Sequence, residues 1–144
     1  MKPFLLVVSP YYQSISEMLI AGASAAIYGA GNAAEMIAVP GALEIPAAIA
    51  MAAKSDRYCG YVALGCVIRG ETAHYDIVSN ESARALQDLA TTRHLAIGNG
   101  ILTCDTMAQA TKRADTKQGN KGGDAAAAAM RMLQIRHLFG LDHS

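Results

Sequence analysis

Arg69, Thr72 and His74 lie close together in Gly65-Cys66-Val67-Ile68-Arg69-Gly70-Glu71-Thr72-Ala73-His74-Tyr75-Asp76. A guanidinium, a hydroxyl and an imidazole beside the free N–H groups of a helix start make an anion site with a proton-transfer group next to it. Histidine is the side chain that exchanges protons near neutral pH. The plainer reading of His74 is a helix-start histidine bonded to backbone, and only its neighbours favour chemistry. Arg113 and Lys121 bracket a polar, glycine-containing run. A planar fork and a point charge suit a phosphate, although such a run is more often a solvated face. The glycines form no GxGxxG or Walker A loop, which argues against a nucleotide cofactor, and no metal-ligand spacing is present. Tyr11 and Tyr12 follow an apolar run, where an aromatic can stack on a planar heterocycle or simply sit at the surface. Gly41 permits close backbone approach. Glu44 can accept hydrogen bonds from ligand hydroxyls, or serve only the dipole of its helix.

These residues matter only if secondary structure brings them together. Residues 4–9 are apolar at successive positions, the mark of a strand buried on both faces. Ser14 or Ser16 is expected to cap a helix running to about residue 28, ended by Gly29-Ala30-Gly31-Asn32. Residues 35–39 form a second strand, stopped by Pro40-Gly41, and a helix over 43–54 tolerates Pro46 in its first turn. A third strand covers 61–67 and a helix 72–92. A fourth strand covers 94–102, interrupted by Gly98 and Gly100. Asp105 or Thr106 begins a short helix. Gly119-Asn120-Lys121-Gly122-Gly123 breaks the chain before a last helix over 124–139, whose alanines at 125–129 read as a closely packed face.

Four alternations of strand and helix imply parallel strands with right-handed crossovers. The expected fold is a three-layer α/β/α sandwich of flavodoxin-like type with a four-stranded parallel sheet, a single domain over residues 1–144. Ligands bind such sheets beyond the carboxyl ends of the strands. The loops at 9–14, 40–44, 67–76 and 102–106 therefore carry the expected site.

Composition sets limits. Twelve basic and twelve acidic residues balance to zero, which argues against a nucleic-acid or acidic-membrane partner. The apolar share of 52%, rich in alanine, fits a subunit that buries area in an oligomer. Cys59, Cys66 and Cys104 lack CxxC spacing and read as reduced thiols of a cytoplasmic protein. Residues 4–8 are too short for a signal-peptide core, and no apolar stretch spans a bilayer. His94, His137 and His143 have no surroundings like those of His74; the last two are expected to be solvated.

Val39-Pro40-Gly41-Ala42-Leu43-Glu44-Ile45-Pro46, then residues 64–76, then Gly119-Asn120-Lys121-Gly122 resemble the lumazine synthase family, and the likeness runs from about Phe4 to the final helix. It implies condensation of 5-amino-6-(D-ribitylamino)uracil with 3,4-dihydroxy-2-butanone 4-phosphate to 6,7-dimethyl-8-ribityllumazine. Imine formation, phosphate loss and ring closure follow without metal or organic cofactor. By the same resemblance His74 carries the proton. Arg113 binds the butanone phosphate with Glu71, Thr72 and Lys121. Tyr11 stacks on the pyrimidine, and Ala42, Leu43 and Glu44 hold the ribityl chain and ring. Cys66, Val67 and Ile68 meet the ring edge through backbone, so Cys66 is not read as a nucleophile.

Three departures stand out. Pro10-Tyr11-Tyr12 replaces an arginine-aromatic-asparagine run. Asn99 stands where an apolar or aromatic residue is frequent, which makes the pocket near the ring more polar. Asp115 replaces a glycine and would oppose phosphate if it pointed inward. The family implies homo-oligomers with sites between subunits. A first strand that begins near Met1 favours a pentamer or decamer over a shell. A riboflavin synthase is a candidate partner. The rival readings are an archaeal-type riboflavin synthase and a non-catalytic flavin- or lumazine-binding oligomer.

Overall fold

The computed structural model describes residues 1–141, so His143 lies outside the described residues. In chain order the elements are β1 (Phe4–Val8), α1 (Gln13–Gly29), β2 (Ala34–Ala38), a 3-10 turn (Ala42–Glu44), α2 (Ile45–Lys54), β3 (Gly60–Ile68), α3 (His74–Arg93), β4 (Ile97–Cys104), α4 (Met107–Ala114) and α5 (Lys121–Leu138). The four strands are parallel in the order β2-β1-β3-β4. Helices cover both faces, so the expected flavodoxin-like sandwich is the fold. The alternation of side chains along each strand separates two cores. Phe4, Leu6, Val8, Val62 and Leu64 pack with α1, α4 and α5, whereas Leu5, Val7, Tyr61, Ala63 and Val67 pack with α2 and α3. A strand with both faces buried has no polar face, which is why β1 reads as an unbroken apolar run.

Several boundaries differ from expectation, each for a local reason. Neither Ser14 nor Ser16 caps α1. Tyr12 holds the cap position with no side-chain cap bond among the described residues. The helix begins before the serines, so the Ser16 hydroxyl lies within its first turn. It donates back to the carbonyls of Tyr12 at 3.0 Å and Ser9 at 3.3 Å. His94 does not open β4. It ends α3 in the left-handed conformation, at φ 58°. Thr106, not Asp105, caps α4, accepting from the Gln109 N–H at 3.2 Å.

The glycines depart most from expectation. Gly98 and Gly100 do not interrupt β4; both lie within it, buried. A Cβ on Gly98 would overlap the Ala125 carbonyl, and one on Gly100 would stand 3.0 Å from the Ala125 Cβ. Gly122 and Gly123 likewise belong to the first turn of α5, where a Cβ on Gly122 would overlap the Leu19 carbonyl of α1. The glycines are the surface that lets α5 lie directly on β4 and α1. Ala125, Ala126 and Ala129 continue that surface as the expected packed face. Gly98→Ala should therefore destabilise by at least ~1–3 kcal/mol, as over-packing does, because the obstructing group is backbone. Urea unfolding checks this against Gly29→Ala, where, its own helix backbone and chain neighbours aside, no described atom lies within 4 Å of the added methyl and no loss is expected.

Candidate active site

Three of the four expected loops meet at the carboxyl ends of β1, β2 and β3 and enclose a cleft of about 410 Å³. Tyr11, Ala42, Leu43, Glu44, Cys66, Val67, Ile68, Thr72 and His74 all line it. Ser9, Tyr75 and Val78 line it too and were not anticipated. Ser9 is the last residue of the first apolar run. Tyr75 and Val78 lie one and four residues beyond His74, the spacing that shares a helix face or its edge.

His74 is the first residue of α3, exposed on the cleft wall. Its backbone N–H donates to the Thr72 hydroxyl oxygen at 3.3 Å, which leaves the Thr72 proton for a ligand. Ala73, at the cap position, has no side chain to hold this turn, and Asp76 complements the helix dipole. Arg69 is not the anion-binding arginine the motif suggested. Its Nε donates to Asp105 at 2.9 Å, an Nη stands 3.8 Å from Asp76, and the guanidinium lies over the Tyr75 ring at 4.4 Å.

The two tyrosines differ in setting. Their rings meet edge to face, centroids 4.9 Å apart. Tyr12 is half-buried against the core, and burial foremost, with Cys66 and Tyr11 beside it, raises its phenol pKa. Tyr11 is 75% exposed and free to meet a planar ligand. Burial, reinforced by neighbouring Cys104, pushes the Cys66 thiol up to about 12. A neutral thiol forms an apolar floor rather than a nucleophile, which supports the backbone role expected for it.

Asn99, Arg113 and Lys121 are elsewhere. They line a second cavity of about 480 Å³ on the open edge of β4, and among the described residues the two cavities share no lining residue. Arg113 donates one Nη to the Thr103 carbonyl at 3.3 Å and to the Cys104 sulfur at 3.2 Å. Lys121 stands 3.8 Å from Asp124. The Asn99 carbonyl oxygen accepts from the Ile101 N–H at 2.9 Å. Glu71 is exposed and lines neither cavity. Asp115 does not point at Arg113. Its carboxylate accepts from Gln118 and from the Lys117 N–H, each at 2.9 Å, and these bonds lower its pKa. Among the described residues no group of three or more His, Cys, Asp or Glu could hold a metal ion, and no helix is long and apolar enough to cross a membrane.

Fold and cleft together define a flavodoxin-like enzyme that handles small molecules at the carboxyl ends of a parallel sheet. Residues 2–137 match the profile of 6,7-dimethyl-8-ribityllumazine synthase, and the chain belongs to that family. A 6,7-dimethyl-8-ribityllumazine synthase of Novosphingobium aromaticivorans is 55% identical over 136 residues, covering 94% of this chain and 97% of the relative. One from Methylorubrum populi is 53% identical over 143 residues, covering 96% of this chain and 85% of the relative. One from Erythrobacter litoralis is 50% identical over 140 residues, covering 97% and 99%. The reaction expected from the motifs, condensation of the ribitylaminouracil with the butanone phosphate to 6,7-dimethyl-8-ribityllumazine, is the reaction of this family. The chain is a transferase of riboflavin biosynthesis.

Proposed function

We propose that the chain forms 6,7-dimethyl-8-ribityllumazine in a site completed by two copies, the cleft of one closed by the β4 edge of the next. The observation that carries this is the separation of the two cavities: His74 lines one, and Arg113 and Lys121 line the other. A second copy supplies what a single chain keeps apart. Association is supported by the open edge strand β2, where Met36 is 53% and Ile37 40% exposed. Such apolar exposure on a sheet edge calls for a partner. A cyclic homo-oligomer, a pentamer by the resemblance or a decamer of two, repeats one heterologous contact around a ring.

In the joined site Tyr11 stacks on the pyrimidine, Glu44 accepts from ribityl hydroxyls, and Ala42 and Leu43 shape the chain's path. Backbone at Cys66, Val67 and Ile68 meets the ring edge, and the neighbour's Asn99 adds a polar contact. The neighbour's Arg113 and Lys121, with the Thr72 hydroxyl of the cleft and the backbone N–H of Glu71 next to it in the chain, bind the phosphate. His74 accepts and returns protons as the imine forms, phosphate leaves and the ring closes. Cys59, Cys66 and Cys104 form no disulfide among the described residues, which fits a reducing cytoplasm, and a riboflavin synthase would take the product onward.

Subunit mixing tests the shared site. His74→Ala and Arg113→Ala oligomers, each strongly impaired when the butanone phosphate is limiting, are dissociated, combined in equal amounts, reassembled and assayed under that limitation. Random mixing around a ring pairs an intact cleft with an intact edge at about a quarter of sites, so about that share of activity should return. Mixed oligomers with no recovery would place both residues in sites formed within one chain.

A further inference from the structure

Arg69, bonded on several sides near the cleft, is a side chain that the reaction scheme leaves unused. Arg69 leaves the end of β3 in the direct approach to His74, and its backbone N–H is fixed by the Cys104 carbonyl at 2.9 Å. Its guanidinium grips in three directions: Asp105 at 2.9 Å, Asp76 at 3.8 Å and the Tyr75 ring at 4.4 Å. Asp105 is itself tied to α4, since its N–H donates to the Gln109 side chain at 2.8 Å. Tyr75 and Asp76 are the two residues after His74, in a first turn whose cap position is an alanine. The cap residue itself supplies no side-chain bond, and the neighbouring Thr72 hydroxyl accepts only from the His74 N–H, at 3.3 Å.

We infer that Arg69 is the positioning residue for His74, clamping the first turn of α3 to the β4–α4 loop through Tyr75, Asp76 and Asp105. This rests on the reading of His74 as the proton carrier and extends it to the residue that aims it. An arginine suits the task because its planar fork can bond carboxylates at its edge while its face covers a ring; a lysine, a point charge, cannot serve all three partners at once. The clamp is half exposed, and exposed ion pairs contribute little to global stability. Its effect should therefore show in catalysis and not in unfolding.

The test compares Arg69→Ala, Arg69→Lys, His74→Ala and the Arg69→Ala/His74→Ala double variant as purified oligomers, by lumazine absorbance at saturating substrates. Loss of aim should lower kcat of Arg69→Ala roughly 10- to 100-fold, with both KM values, the oligomer and the unfolding temperature near wild type. Arg69→Lys should recover part of the rate. In the His74→Ala background, Arg69→Ala should cost nothing further, because no imidazole is left to aim. The inference is overturned by a wild-type kcat in Arg69→Ala, by an equal loss with or without His74, or by a loss that follows disassembly. If His74→Ala is itself fully active, the proton-carrier reading falls first and the inference falls with it. A silent Arg69→Ala beside an inactive His74→Ala removes the inference alone.

Discussion

If His74 carries the proton as proposed, His74→Ala should lower kcat by about 10²- to 10⁴-fold, the span expected when a positioned acid–base group is removed. The size would be set by whichever proton transfer between imine formation and ring closure becomes limiting without the imidazole. His74 is exposed on the cleft wall, so its removal leaves no void in the core. The unfolding temperature should therefore stay near wild type. Both KM values should change little, because stacking and phosphate contacts belong to other residues. Steady-state lumazine formation at saturating substrates decides it. A kcat within a few-fold of wild type would move the proton transfers to water or to the substrates themselves.

Arg113→Ala acts on a different constant. Losing charged hydrogen bonds to phosphate costs about 1.5–3 kcal/mol each, roughly 10- to 150-fold in kcat/KM for the butanone phosphate. The fork is held ready for this. One Nη is fixed by the Thr103 carbonyl and the Cys104 sulfur, and the residue lines the edge cavity. Arg113→Lys should fall between the two, since it keeps the charge and loses the fork. The KM for the ribitylaminouracil should stay unchanged, and inhibition by inorganic phosphate should weaken in parallel with the loss. Equal losses for both substrates would show that Arg113 shapes the assembly instead of binding phosphate.

Asp115 shows how a residue's setting changes its meaning. From sequence it is a carboxylate two residues beyond Arg113 and a potential antagonist of phosphate. In the fold its oxygens are taken by Lys117 and Gln118 of its own turn, so it secures the segment between α4 and α5.

The strands, the helices and the cleft were legible because each rests on local physics. Unbroken apolar runs require buried strands, and the loops at their carboxyl ends carry the polar residues. The parallel α/β fold, the loop set and the residue types that meet in the cleft can thus be read along the chain, since periodicity and turn chemistry act over a few residues. Tertiary structure decided what depends on contacts far apart in the chain. Gly98 and Gly122 read as breakers until α5 is seen lying on β4 and α1, where only a missing side chain fits. Arg69 read as an anion ligand until Asp105, thirty-six residues away, is found bonded to it. The division of the site is of the same kind. Strand order sends His74 to one cavity and Arg113 to another, and no spacing along a chain reveals which edge of a sheet a strand will occupy.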